Sequence, residues 1–180
     1  MEFRILGPLE ASRAGETLDL GGPKQRALLA LLLLGPNRVV PRDTLIAALW
    51  DDAPPDTARK ALQVYVSGLR KAIGKERLVT RSPGYLLRVE AGELDLDRFE
   101  HLRSEGELDE ALALWRGAPL ADFARERFAQ SEIARLEELR LAVLEERIER
   151  GLAEGRHREL VPELDALAGE HPLRERIRAQ

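Results

Sequence analysis

Between residues 57 and 88 the chain sets eight basic side chains against one acidic one, Glu76, although the whole molecule carries a formal net charge of −4. Cations concentrated in this way suit a phosphate backbone, which attracts positive charge whatever its base sequence. Among them, at helical spacing, stand side chains able to read base edges. Gln63 and Ser67 donate and accept hydrogen bonds, and Val64 offers methyls suited to the C5-methyl of thymine. Lys60, Arg70 and Lys71 would lie at the rim, on phosphates. Arg81, further along beside a turn, would meet a phosphate or a narrow minor groove. Simpler roles compete. Arg70 and Lys71 near a helix C-terminus also complement its dipole, and Arg81 alone is an ordinary edge-strand charge. Lys60, in a first turn, gains nothing from the dipole, which favours a role on DNA.

Other chemistry has weaker signals. His101, His157 and His171 are scattered without ligand spacing, and the chain has no cysteine. It contains no Walker loop and no glycine-rich dinucleotide fingerprint, and Asp51-Asp52 reads as a solvated loop. These features point away from an enzyme, a metal site or a cofactor. A content of 44% hydrophobic and 33% charged residues is that of a folded chain. The longest apolar run, 27–34, covers eight residues, against about 20 for a bilayer span. With no basic-then-apolar start, the expectation is a cytoplasmic protein without a membrane partner.

The elements that would position these residues follow from periodicity and punctuation. Phe3 and Ile5 alternate with polar neighbours, and Leu9, Leu18 and Leu20 flank a turn at Ala14-Gly15, predicting a small antiparallel sheet. Pro23 opens a largely apolar helix to residue 34, buried among others, and Gly35-Pro36-Asn37 stops it. A second helix is predicted over 41–50. A third follows from an Asp56 N-cap to Ile73, with Leu62, Val66, Leu69 and Ile73 as one buried stripe. The DNA candidates lie off that stripe. Residues 78–81 and 85–89 then bracket Ser82-Pro83-Gly84, predicting a hairpin whose type II turn places Gly84 at positive φ. Lys24, Gln25 and Arg26, at the start of the first helix, would clamp one further phosphate.

This order of short strands, two helices, a longer helix and a hairpin is that of a winged helix-turn-helix, with the third helix free for the major groove. Its span, 1–92, holds 14 basic and 10 acidic residues, while 93–180 holds 14 and 22. From residue 95 on, leucine, alanine, glutamate and arginine predict helices near 97–103, 107–115, 129–152 and 156–168, and another from 172. Short glycine turns between them suggest a tetratricopeptide-like stack. The expected architecture is therefore mainly α with a small β component: a winged helix over 1–92, a flexible joint at Ala91-Gly92, and an all-α domain over 93–180. The alternative is a protein-interaction module that uses both units for docking. The charge of +7 over 57–88 favours DNA.

Several of these runs resemble a known family. Residues 21–33, 43–50, 61–71 and the wing 78–87 are similar to the OmpR-type winged helix of the Streptomyces antibiotic regulatory protein (SARP) family. Asp95-Leu96-Asp97-Arg98-Phe99, Ala113-Leu114-Trp115-Arg116-Gly117 and the run 171–176 resemble its bacterial transcriptional activator domain. The resemblance covers essentially the whole chain. It implies a cytoplasmic transcription activator of secondary metabolism that binds direct repeats in promoters, pairs side by side on DNA and recruits RNA polymerase. Lys60, Val64, Ser67, Arg70 and Arg81 would be its DNA-facing residues. Gly68 departs from the arginine common there, so one contact would be missing. The final helix, from Arg174, would be the start of a larger helical domain.

Overall fold

The structure, a computed structural model, describes residues 1–51, 53–157, 160–162, 164 and 169. Strands β1 (Glu2–Arg4), β2 (Glu10–Arg13) and β3 (Glu16–Thr17) form an antiparallel sheet in that order. Ala14 and Gly15 turn β2 into β3, both at positive φ, as a tight two-residue turn requires. Helices α1 (Pro23–Leu33), α2 (Arg42–Trp50) and α3 (Ala58–Ile73) follow, with strand β4 (Val39–Pro41) before α2. Strands β5 (Leu78–Arg81) and β6 (Gly84–Leu87) make the wing. The second unit comprises α4 (Asp95–Glu105), α5 (Leu108–Ala113), a 3₁₀ turn at Ala121–Phe123 and α6 (Arg127–Ala153). The fold is thus mainly α, a winged helix-turn-helix followed by helices.

The stripe of α3 is buried throughout: Leu62, Val66, Leu69 and Ile73 are each at most 2% exposed. Trp50 stacks on Tyr65 at 6.1 Å between centroids, so this tryptophan sets α2 against α3. The N-cap of α3 is Thr57, without a side-chain hydrogen bond, rather than the expected Asp56.

Two local expectations about the wing are corrected. β4 was not predicted, because three residues ending in proline show no alternation. It pairs with β6, so the wing sheet has the order β4-β6-β5. The hairpin turn is Arg81-Ser82-Pro83-Gly84 with a cis Ser82–Pro83 bond, not a type II turn, and Gly84 does not take a left-handed φ. Glycine is needed there for another reason. A Cβ would lie 1.8 Å from the Val40 carbonyl oxygen, so β4 and β6 approach too closely for any side chain.

The segment expected to be a flexible joint is pinned on one side by the Asn37 carboxamide, which donates to the Val89 carbonyl and accepts the Val89 N–H, and on the other by residues 93–95. Arg77 holds the Glu93 carboxylate bidentately at 2.5 and 2.7 Å, and the Phe3 N–H donates to the Glu93 carbonyl at 2.7 Å. Leu94 bridges to Phe3 in parallel register. The buried Asp95 carboxylate then accepts the N–H groups of Ile5 and Leu6 at 2.9 Å. Arg116 and Leu120 donate their N–H groups to the Leu6 and Ile5 carbonyls. The first sheet is therefore completed by the second unit, and one apolar core runs from Phe3 to Val143. A smaller cluster of Leu141, Ile148 and Leu160 lies beyond it. Most of the helix expected over 156–168 and all of that from 172 lie outside the described residues.

Candidate nucleic-acid interface

The outer face of α3 is polar except at its centre. Lys60, Gln63, Ser67 and Lys71 are exposed, and Val64 stands among them at 61% exposure. Val64 is thus the apolar member of an otherwise polar exposed face. The C-terminal half of α3 and strand β5 enclose a groove of 710 Å³ lined by Ser67, Arg70, Lys71, Lys75, Val79, Thr80 and Arg81. A second groove of 280 Å³ lies at the other end of α3, lined by Arg42, Asp43, Arg59, Gln63, Pro83 and Tyr85.

The eight cations of 57–88 are not equivalent. Arg77 is held by Glu93, Arg59 pairs with Asp43 at 3.4 Å, and Arg88 donates to the Glu76 carbonyl. Arg70 is turned onto the wing, its Nε–H donating to the Leu78 carbonyl at 2.7 Å and Nη2 to Thr80 Oγ1 at 2.9 Å. Among the described residues, the side chains of Lys60, Lys71, Lys75 and Arg81 have no hydrogen bond or ion pair, and they flank the exposed face of α3. Lys75 was missed as a candidate because it follows the helix, in a turn that periodicity does not orient.

The two candidates on α1 are drawn inward. Lys24 Nζ donates to the Leu49 carbonyl at the C-terminal end of α2. Arg26 donates to the Leu9 carbonyl at 2.9 Å and pairs with Asp122 of the second unit at 3.0 Å. Each cation thus has an acceptor within the protein. Gly68 also differs from expectation. It lies on the flank of α3 facing α1, and a Cβ there would meet the Gln25 carboxamide at 2.4 Å. Gln25 fills the space beside Gly68, and Gly68 lies off the exposed face of α3.

Around the joint, burial raises the Asp95 carboxyl above its ordinary value, against the opposing pull of the Ile5 and Leu6 N–H groups and Arg116. Burial alone would also raise Glu93, but hydrogen bonds from Arg77 and Glu90 help bring it below the usual carboxylate value. The Glu2 carboxyl is lowered chiefly by its hydrogen bond from Arg4.

Residues 86–180 match the family model of the bacterial transcriptional activator domain, and residues 15–87 match that of the C-terminal domain of transcriptional regulatory proteins. The chain belongs to the SARP family of transcription regulators. Among its SARP relatives, the regulatory protein DnrI of Streptomyces peucetius is 38% identical over 205 residues, which cover this whole chain and 75% of DnrI. The regulatory protein AfsR of Streptomyces coelicolor is 44% identical over 99% of this chain, which spans only 19% of AfsR. A solved structure of Mycobacterium tuberculosis EmbR, in complex with a low-affinity phosphopeptide, superposes with a TM-score of 0.88 at 34% identity. That match covers 98% of this chain and 52% of EmbR. Among the described residues no helix is long and apolar enough to cross a membrane.

Proposed function

We propose that this SARP chain activates transcription by sequence-specific binding to promoter DNA, with α3 in the major groove and the β5–β6 wing against the flanking backbone. The observation that carries this reading is the placement of the uncommitted cations. Lys60, Lys71, Lys75 and Arg81 surround a face whose centre is Gln63, Val64 and Ser67. Cations at a rim bind phosphates without regard to sequence, and the residues between them discriminate bases. Two copies side by side on direct repeats, with RNA polymerase as the partner of the helical unit, complete the proposal by analogy with the family.

A mobility shift on promoter fragments at two salt concentrations tests it. Binding should weaken steeply with salt, because each phosphate contact releases counterions. Lys60→Ala and Arg81→Ala should weaken binding to all sequences alike. Val64→Ala should change preference at one base pair by about 1 kcal/mol or more. Absence of binding at low salt would overturn the reading.

A further inference from the structure

Arg70 belongs to the basic cluster, but its guanidinium faces the wing. Its Nε and Nη2 donate to two acceptors on one strand, the Leu78 carbonyl and Thr80 Oγ1, at 2.7 and 2.9 Å. β5 is an edge strand of the wing sheet, so one of its flanks has no strand partner. Thr80 immediately precedes Arg81, the cation at the wing tip. Only residues 74–77 connect α3 to β5, and Gly74 among them is at a φ of 104°.

Resting on the DNA-binding reading above, we propose that Arg70 is a positioning residue that sets the wing against the reading helix. It would do so by its planar fork rather than its charge. Two donors in fixed relation gripping two acceptors on one strand constrain both the distance and the slide of β5 along α3. Arg81 and the 710 Å³ groove are thereby held at one separation from Lys60 and Val64. A single buried apolar contact would fix the distance and leave the slide free.

Thr80→Val separates the two roles, since it removes an acceptor and leaves the Arg70 charge intact. The probe is a duplex selected from a random pool by the wild-type chain, with melting used to confirm that each variant is folded at the assay temperature. Thr80→Val is expected to weaken binding several-fold in the wild type and to add nothing in Arg70→Ala. Arg70→Lys, which keeps the charge and loses the fork, should bind as weakly as Arg70→Ala. Arg70→Ala and Arg81→Ala should be non-additive by about tenfold, as interacting neighbours are. In the double variant the salt dependence should equal that of Arg81→Ala alone, because Arg70 adds no phosphate contact of its own. Full affinity in Thr80→Val or Arg70→Lys, or additive effects, would overturn the proposal while leaving DNA binding standing. Failure of the wild-type chain to select any duplex would overturn both.

Discussion

Two glycines near the interface look alike in the sequence and differ in what surrounds them. A Cβ at Gly68 would meet the end of the flexible Gln25 side chain, which can swing into the adjoining groove lined by Arg13 and Lys71. Alanine also relieves the entropic cost of glycine within a helix, about 0.5–1 kcal/mol. Gly68→Ala is therefore expected to stabilise the protein by roughly 0.5 kcal/mol in urea unfolding. At Gly84 the obstacle is the Val40 carbonyl, which cannot rotate away. Gly84→Ala should destabilise by about 2–3 kcal/mol, as overpacking against backbone does. Equal effects at the two positions would contradict the packing described. Gly84 was legible as a necessary glycine from its place after Ser82-Pro83, but for the wrong cause. The close approach of β4 depends on a strand more than forty residues earlier in the chain.

At the scale of elements, the cations of α1 and α3 separate into those that hold helices together and those that face outward. Lys24 satisfies a carbonyl at the C-terminal end of α2, where helices leave acceptors unpaired. Lys24→Ala should cost about 1 kcal/mol of stability and leave the salt dependence of DNA binding unchanged. Lys71→Ala should do the reverse. Its stability should stay within about 0.5 kcal/mol, while the slope of log K against log salt becomes shallower by about 0.9. A calorimetric melt and a salt titration of both variants check the pair. The buried stripe of α3 was readable from spacing alone, because it needs only a 3.6-residue period and one apolar side. That Arg70 turns to the wing was not readable, because its two acceptors lie on a strand whose position depends on the whole wing sheet.

At the scale of the molecule, the joint between the units is a bonded seam centred on Asp95. Its carboxylate serves the N–H groups of Ile5 and Leu6, which have no strand neighbour at that point of the first sheet. Asp95→Ala would leave both donors buried and unsatisfied, at a cost of about 2–4 kcal/mol. It should broaden or split the thermal transition, since the seam couples the two units. The seam also titrates. Asp95 has its folded value raised above 3.8, so its protonation favours the folded state as pH falls through that window. Glu2 and Glu93 are lowered below 4.5, so their contribution is present above that value and lost as pH falls through their folded values. Asp95→Asn removes the Asp95 contribution and leaves the others, including that of Asp97, which burial also raises. Acidification from about pH 7 to about pH 4 should therefore destabilise this variant more than the wild type in urea titrations. An equal loss in both would show that Asp95 does not titrate as its burial implies.

By itself the sequence determined the winged helix, the buried stripe of α3, the helical second unit and the basic segment over 57–88. Each is a local pattern, set by the period of apolar positions, by turn residues or by charge counted along the chain. Only the tertiary structure decided which of those cations remain outward. Arg59, Arg70, Arg77 and Arg88 found acceptors within the protein, as did Lys24 and Arg26 on α1. It also decided that Glu93 to Asp95, beside the joint expected at Ala91-Gly92, form a bonded seam, since the Ile5 and Leu6 N–H groups and Asp95 meet only when the chain closes on itself. The reason is the same in both cases. A cation or a carboxylate goes to the partner that burial places within hydrogen-bonding distance, and for most of these that partner lies far away in the sequence.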